Sequence, residues 1–451
     1  MPKHLLYISV LFVLLGCTKK LDTKPDQSKT VPQTIGDFQA LLDNSDIINA
    51  FIPAYGEAAA DNYYITDARF NALPLNGMRQ GYIWGDDIFP VNDFISDWSG
   101  NYIRINLCNL VLNGMSEISE GVGSSAYNNL QGSALFVRGM SFYLLSGIFC
   151  KPYDSATAVS DLGIPLRLSP DVKKIYQRAN LKETYDRVLS DLKDAIPLLP
   201  REPLNKLRPS KVSAYALLSR IYLGLGNYAD AIKYADSSLA IYNELLDYNT
   251  VSDEGNLPFE KFNSDVILYG ILSPFALLSM TSSYIDTTLY KQFEENDLRK
   301  SLFFRIGLAG QILFKGTYSG DVFVQFGGIT VPEVLLTRAE CNAREGKISA
   351  AMSDLNTLLR KRWKSGTYID LALGDAQVAL KKILDERRKE LIFRGLRWFD
   401  LRRLNKDARF AKKLTRKING NVYELLPNSP RYVFPIPEEE IVSSGIQQNV
   451  R

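Results

Sequence analysis

The strongest constraint on the fold is a helix-pair pattern. In SAYALLSRIYLGLGNYADAIKYADSSLAIY, residues 213–242, aromatic, leucine and small residues recur at helical spacing on both sides of Gly226 and Asn227. A Gly-Asn pair between two such runs is typical of a turn that ends one helix and begins the next. The small residues lie where the two helices must approach closely. The segment therefore predicts two packed antiparallel helices.

This spacing is that of a tetratricopeptide unit, and similar patterns predict about four such units. They lie near residues 133–149, 183–200, 210–242 and 331–362. Each unit buries its apolar face only by stacking against its neighbours, so we expect a continuous helical scaffold. We predict a mainly all-α fold for residues 35–451, as a single domain with long irregular loop insertions.

Three long segments separate the predicted helices: residues 51–98, 151–180 and 247–332. They are too long for the turns of a simple solenoid. Binding residues are disproportionately found on loops that a rigid scaffold positions. We expect residues 51–98 and 247–332 to form most of a ligand-binding part.

The composition excludes several classes of protein. The 451 residues contain one histidine, His4, which lies in a segment that we expect to be removed. A chain without imidazole has no Ser-His-Asp or Cys-His catalytic site and no histidine metal site, and we predict neither a metal nor a cofactor. The formal charge of +3 argues against nucleic acid as a partner, because phosphate binding requires clustered cationic excess.

The N-terminus has the features of an export signal. Lys3 and His4 precede an apolar run over residues 5–15, which ends in LLGC. The ending resembles a bacterial lipobox, in which Cys17 receives diacylglycerol and becomes the first residue. We predict a lipoprotein signal peptide at 1–16 and a lipidated polar spacer at 17–34, so that the lipid tethers the protein to a membrane. A simple signal peptide or an uncleaved anchor is the alternative.

The segment DERRKELIFRGLRWFDLRRL, residues 385–404, places Arg387 within an apolar helical stripe. An unpaired buried charge is costly, so Arg387 requires an acidic partner. We predict a buried ion-pair network that joins two helices, in which Glu390 pairs with Arg394 four residues later. Catalysis is the alternative, but the neighbouring arginines would hold nearby acids ionised and leave no proton donor. The predicted members of this structural clasp are Glu386, Arg387, Glu390, Arg394, Trp398 and Asp400.

The same segment resembles the C-terminal signature of the SusD/RagB family, the lipid-anchored glycan-binding proteins on the outer membrane of Bacteroidota. Other fragments agree with the family in the expected order: DWSGNYIRINLCNLVL, LFVRGMSFYLLSGIFCKPY, TYDRVLSDLKDAIPLLP, RPSKVSAYALLSRIYL, PEVLLTRAECNAREG and VFPIPEEEIVSSGIQQN. The resemblance implies four tetratricopeptide-like units and a non-catalytic protein that faces the exterior. It also implies a SusC-like TonB-dependent barrel as the partner, to which the protein delivers a captured oligosaccharide.

Ligand residues do not follow from these scaffold motifs, so we predict them from sugar chemistry. A sugar ring stacks its C–H face on an aromatic side chain, and its hydroxyls bind polar side chains. The segment DNYYITDARFNALPLNGMRQGYIWGDD, residues 61–87, is rich in both kinds. The candidates are Asn62, Tyr63, Tyr64, Arg79, Tyr82, Trp84 and Asp86, with Tyr284 and Tyr290 as weaker ones.

Two other functions remain open from the sequence. A carboxylate-dependent glycoside hydrolase requires two acids that face one cleft, one of them carrying a proton. A tetratricopeptide-type adaptor for a protein partner predicts short turns and a continuous groove rather than long insertions.

Overall fold

The computed structural model describes residues 32–90, 95–119 and 121–451. The predicted signal peptide, Cys17 and most of the predicted spacer lie outside these residues.

Helices dominate the described chain and confirm the predicted fold class. Its 17 α-helices are Ile35–Leu42 (α1), Ser45–Ile48 (α2), Tyr55–Ala59 (α3), Asp67–Asn71 (α4), Asn76–Tyr82 (α5), Ser96–Met115 (α6), Ser125–Phe149 (α7), Leu181–Leu198 (α8), Lys211–Leu225 (α9), Tyr228–Leu239 (α10), Thr287–Tyr290 (α11), Arg299–Phe303 (α12), Val331–Arg344 (α13), Ile348–Leu359 (α14), Ala376–Glu390 (α15), Arg397–Leu404 (α16) and Glu438–Ser444 (α17). Short 3₁₀ turns lie at Tyr248–Thr250, Ala276–Leu278 and Pro430–Tyr432.

The helix pair predicted around Gly226 is α9 with α10. Ser210 caps α9, since its hydroxyl accepts a hydrogen bond from the Ser213 N–H. Gly226 ends the helix with φ +74°, in the left-handed region that glycine adopts without strain. Asn227 then caps α10. Helices α13 and α14 form a similar pair.

The segments near 133–149 and 183–200 belong to one helix pair. They lie in α7 and α8, which pack against each other along their length. Arg138 Nε and Nη2 donate to the two carboxylate oxygens of Asp191, at 2.8 and 2.7 Å. Helix α7 also packs along α6, so the first repeat begins earlier than the sequence pattern indicates.

Helix α7 is also the one described helix that is long and apolar enough to cross a membrane. However, 94% of its most apolar window is buried inside the protein. It is therefore the central helix of the core.

The strands form small antiparallel sheets. They are Tyr63–Tyr64 (β1), Leu162–Pro165 (β2), Arg178–Asn180 (β3), Val266–Leu268 (β4), Tyr284–Ile285 (β5), Phe304–Ile306 (β6), Ile312–Phe314 (β7), Ile329–Thr330 (β8), Leu414–Ile418 (β9) and Asn421–Leu425 (β10). The largest sheet has the order β1-β5-β7-β6. It brings the two predicted loop segments, 51–98 and 247–332, into contact.

The charged segment at 385–404 lies in the core, where it joins several helices. Arg387 on α15 pairs with Asp400 on α16 at 2.9 Å. Glu386 and Glu390 both bind Arg299, at 2.6 and 3.1 Å. The arginine charges hold the pKa of Asp400 at about 2, against the opposing effect of burial. The cationic neighbours also hold the pKa of Glu386 well below its usual value. Asp400 and Glu386 are therefore ionised and cannot donate a proton near neutral pH.

The predicted pair of Glu390 with Arg394 is wrong. Helix α15 ends at Glu390, so the two residues do not lie on one helix face. The guanidinium of Arg394 instead stacks on the ring of Tyr318, 3.7 Å from its centroid. The sixth predicted member of the clasp, Trp398, is fully buried and packs on Tyr432 with ring centroids 4.8 Å apart.

Candidate functional site

Four of the predicted ligand residues are core residues. Asn62, Tyr63, Tyr82 and Trp84 are at most 4% exposed. Trp84 Nε1, for example, donates to the carbonyl of Ala59 at 3.0 Å. A ring with no exposed face cannot stack on a sugar, so the structure does not support these four as ligand residues.

The partner of these aromatic rings is an arginine from the distant strand β9. The Arg416 guanidinium carbon lies 3.6 Å from the ring centroid of Tyr82, 4.7 Å from that of Trp84 and 5.7 Å from that of Tyr63. The guanidinium also donates to three backbone carbonyls, those of Ala58, Ala60 and Tyr82. We call Arg416 with Tyr63, Tyr82 and Trp84 the inner arginine cluster. Three of the aromatic residues in the segment 61–87 therefore surround an internal cation rather than a ligand.

The polar candidates Arg79 and Asp86 lie apart from these rings. Arg79 Nη1 donates to the carbonyl of Leu73 within the same loop. Asp86 is exposed and pairs with Arg431 at 3.2 Å. The first contact stabilises the loop itself, and the second joins the loop to a distant surface segment. Neither residue contacts Tyr64 or Tyr284, the exposed aromatic pair.

Tyr64 and Tyr284 form an accessible aromatic pair. They are directly opposite each other on β1 and β5, with ring centroids 5.6 Å apart, and Tyr64 is 42% exposed. Tyr290 is half-buried and packs edge-on against Phe304. The structure thus keeps the pair of Tyr64 and Tyr284 as a surface that a ligand can reach.

A cavity of about 510 Å³ opens between the loops next to this sheet. This volume is within the range of small-molecule sites. We call it the loop pocket, and its lining residues are Arg69, Asn256, Pro274, Phe275, Ala276, Ser279, Met280, Thr281, Arg305, Val322 and Phe323. Both predicted loop segments contribute to it.

Local structure positions the side chains of the loop pocket. Phe323 follows a turn in which Asp321 Oδ1 accepts a hydrogen bond from its backbone N–H at 2.7 Å. The turn leaves Phe323 81% exposed, more than any other described aromatic residue. Arg69 lies on α4, and its Nη2 donates to the carbonyl of Ala276 at 2.8 Å, which ties α4 to the 3₁₀ turn.

The loop pocket and the tyrosine pair share one face of the sheet. Tyr64 is opposite Tyr284, Tyr284 is opposite Leu313, and Leu313 is opposite Arg305. Directly opposed residues of antiparallel strands point to the same face. A row of side chains therefore runs from the exposed Tyr64 to Arg305 in the pocket wall, with the buried Leu313 between them.

Two cavities of similar or larger size lie against the scaffold. One, of about 630 Å³, is lined by cations such as Arg344 and Arg403, which ion-pair with Glu340. The other, of about 560 Å³, is lined by Asn405 and Tyr432 among other residues. Neither has an exposed aromatic ring, so the loop pocket is the better candidate for a sugar.

The loop pocket has no group for acid–base hydrolysis, since its lining contains no Asp or Glu. Burial raises the pKa of four carboxylic acids in the described part of the chain: Glu57 to about 7, Asp97 to about 6, and Asp265 and Asp354 above their usual value. All four are buried, and none lines the loop pocket. Within residues 32–90, 95–119 and 121–451, no group of three or more His, Cys, Asp or Glu side chains is placed to hold a metal ion.

The sequence interpretation missed Phe275, Phe323, Arg69 and Arg305. A usable signal existed for Phe323, because an apolar Val-Phe pair directly follows the turn residues Gly320 and Asp321. Arg69 lies within the candidate segment 61–87 but was not chosen from it, and Phe275 and Arg305 lie in parts of 247–332 with no distinguishing pattern.

The fold and the loop pocket define a class of protein in which a helical-repeat scaffold holds a pocket in its inserted loops. The SusD family profile matches residues 331–451. A SusD-like profile, described as starch-binding and associating with the outer membrane, matches residues 19–223. The chain belongs to the SusD/RagB family, whose members are non-catalytic binding proteins associated with the outer membrane.

Individual relatives agree along nearly the whole chain. The chain is 26% identical to SusD-like protein P2 of Formosa agariphila, over 97% of each sequence. It superposes with a TM-score of 0.74 on a SusD superfamily protein of Bacteroides thetaiotaomicron, at 22% identity over 93% of this chain and all of that one. A putative sugar-binding protein of Bacteroides vulgatus gives the same TM-score, at 20% identity over 93% and 99% of the two chains.

Proposed function

We propose that this protein captures an oligosaccharide in the loop pocket, without cleaving it, and passes it to a SusC-like TonB-dependent barrel in the outer membrane. The observation that carries the proposal is the combination of an 81% exposed Phe323 with polar side chains around a cavity of about 510 Å³. An exposed ring stacks on a sugar face, and the polar groups bind its hydroxyls. The name of the Bacteroides vulgatus protein, a putative sugar-binding protein, agrees with this ligand class.

The lining of the loop pocket argues against the hydrolase alternative. A glycosidase requires one acid that donates a proton and a second that acts as nucleophile or base. With no carboxylate in the lining, the pocket offers neither. A tetratricopeptide-type adaptor would have short turns between its helix pairs. Here the long segment 247–332 separates the pair α9 and α10 from the pair α13 and α14.

Substitution of Phe323 by Ala tests the site. We expect wild-type protein to be retarded in native gels that contain its polysaccharide, with no new reducing ends in the solution. Loss of one stacking ring weakens binding by about 1–2 kcal/mol, which corresponds to roughly a 5- to 30-fold rise in Kd. Isothermal titration calorimetry with an oligosaccharide of the retarding polymer measures this change.

Phe262→Ala is the matched control. Phe262 is 45% exposed and does not line the loop pocket. Its substitution should leave Kd within about twofold, because an exposed side chain outside the pocket lining contributes little to the folded state or to ligand contacts. Equal Kd values for wild type and Phe323→Ala would remove the loop pocket as the site, and release of reducing ends would favour the hydrolase.

The lipid anchor and the barrel are separate parts of the proposal. The lipobox-like LLGC supports acylation of Cys17 and a position on the outer membrane, facing the exterior. Mass spectrometry of the protein purified from membranes should show Cys17 as a diacylglyceryl-modified N-terminus, and Cys17→Ser should move the protein to the soluble fraction. Affinity purification of the full-length chain from its host should co-isolate a TonB-dependent barrel.

A further inference from the structure

The arginines of the loop pocket differ from most others in the chain because they have no acidic partner. Arg69 donates to the carbonyl of Ala276, and Arg305 Nη2 donates to the carbonyl of Met280 at 3.3 Å. Neither guanidinium forms an ion pair with any carboxylate in the described part of the chain. Arg69 Nε is buried and has no hydrogen-bond partner there. Two guanidiniums therefore converge on one cavity with unused donors.

A third cation strengthens the positive charge of this region. Lys315 is 6% exposed, and its Nζ donates to the backbone carbonyls of Asp253 and Gly255 rather than to a carboxylate. Burial lowers the pKa of Lys315, the Asp253 charge opposes that change, and the Arg305 charge adds to it. Arg305 and Lys315 are therefore close enough to repel each other.

The neighbouring acids do not neutralise the pocket. Asp253, Glu254 and Asp321 lie close to lining residues in the sequence, but none of them lines the cavity. The Asp321 carboxylate accepts from the backbone N–H of Phe323 and so faces its own turn. Arg69 and Arg305 are the ionisable residues of the lining, so the cavity wall is positive and contains no carboxylate.

From this charge we infer that the loop pocket selects acidic saccharides, whose carboxylate or sulfate oxyanion binds Arg69 and Arg305 while a sugar ring stacks on Phe323. This inference rests on the proposed function and names its ligand class. A guanidinium presents parallel N–H donors that match the two oxygens of a carboxylate or sulfate. The oxyanion would supply the acidic partner that the protein itself does not provide, and the half-enclosed cavity screens this attraction less than open solvent does.

Two matched polymer pairs test the inference with the full chain. One pair is oligogalacturonate and its fully methyl-esterified form, which differ only in the carboxylate charge. The other is a sulfated galactan oligosaccharide and its desulfated form. Isothermal titration calorimetry at 0.15 M salt should show at least one acidic form bound about tenfold or more tightly than its neutral partner, because hydrogen bonds to charged groups contribute more than neutral ones. The pair that shows the preference identifies carboxylate or sulfate as the anion.

Variants separate this inference from the proposed function. Arg69→Gln and Arg305→Gln should each remove most of the preference for the acidic form, whereas Phe323→Ala should weaken the acidic and neutral forms alike. Arg201→Gln removes an exposed cation outside the pocket and should change nothing. Equal binding of acidic and neutral forms, with loss in Phe323→Ala, would overturn the acidic preference but keep the pocket as a sugar site. Binding of none of the four ligands would overturn the acidic preference, whereas the proposed function is overturned by Phe323→Ala having no effect on the polysaccharide that retards the wild type.

Discussion

The inner arginine cluster and the loop pocket combine the same side-chain types in opposite ways. In the inner cluster, Arg416 is 8% exposed, contacts three rings and donates to three backbone carbonyls. In the loop pocket, Arg69 and Arg305 each donate to one carbonyl, and the neighbouring Phe323 is 81% exposed. The first group completes its own interactions and stabilises the fold. The second leaves donors and a ring face available to a ligand.

Among the arginines whose partners all lie within the protein, Arg299 is expected to have the largest effect on stability. Its guanidinium is completely buried and binds Asp297, Glu386 and Glu390. Arg299→Met leaves three buried carboxylates with fewer partners, so we expect the free energy of unfolding to fall by about 3–5 kcal/mol. Chemical denaturation followed by circular dichroism measures this fall.

Arg360→Met is the control for that loss. Arg360 pairs with Asp370 at the surface, where both side chains are about half exposed. An exposed pair of this kind contributes less than about 1 kcal/mol. If the two substitutions lowered the free energy of unfolding equally, the stabilising effect of the Arg299 network would not depend on its burial.

Arg416→Met tests the inner cluster directly against the loop pocket. It leaves three buried carbonyl oxygens without this donor and removes the cation from the rings, so we expect a loss of about 3 kcal/mol. Arg305→Met, the matched change in the pocket, should alter stability by less than about 1 kcal/mol and weaken ligand binding instead. The reverse outcome, a stable Arg416→Met protein and an unfolded Arg305→Met protein, would show that the inner arginine cluster does not stabilise the fold and that the loop pocket does.

Glu57 adds a pH dependence next to the inner cluster. It accepts from Asn62 Nδ2 at 3.0 Å and from the Gly395 N–H at 3.1 Å, and burial raises its pKa from 4.5 to about 7. The folded state keeps this proton after the unfolded state has lost it. The associated stability is therefore present below pH 4.5 and is lost as the pH rises to about 7.

The measurement is the unfolding free energy of wild type and Glu57→Gln at pH 5 and pH 7. We expect wild type to lose on the order of 2 kcal/mol more than the variant over this interval. Burial also raises the pKa of the Asp97 carboxyl, to about 6, but this group adds the same pH dependence of stability to both proteins. Parallel pH profiles for the two proteins would show that Glu57 keeps an ordinary pKa.

The smallest effect is expected at the tyrosine pair. Tyr64 packs against Tyr284 with the two rings tilted by 56°, and Tyr64 is 42% exposed. If this pair extends the platform, Tyr64→Ala raises Kd for a long oligosaccharide by about two- to fivefold and leaves a disaccharide unaffected. Titrations with both chain lengths decide this, and equal effects on both would place the tyrosines at the main subsite.

The scaffold could be predicted from the sequence because its signals are local. The turn at Gly226 was predicted from adjacent residues, and the acidic partner that Arg387 requires is Asp400, about a dozen positions away. The pairing of Glu390 with Arg394 failed for a local reason as well. The helix ends at Glu390, and Phe393 adopts φ +54°, which takes Arg394 off the helix face.

The candidate site could not be predicted from the sequence because it depends on contacts between residues that are far apart in the chain. Tyr82 and Trp84 have the composition of a sugar platform, but Arg416, more than 330 positions later, covers them. Arg69 and Arg305 lie on segments more than 230 positions apart and meet only in the folded chain. A loop pattern shows which segments are irregular, whereas burial decides which of their side chains are free.

A crystal structure of the full chain with the acidic oligosaccharide that binds in the calorimetric tests would address the ligand site most directly. We predict a sugar ring stacked on Phe323, with its carboxylate or sulfate within hydrogen-bond distance of Arg305 or Arg69. A saccharide bound in the cavity beside Asn405 and Tyr432, with Phe323 free of contact, would contradict the assignment of the loop pocket.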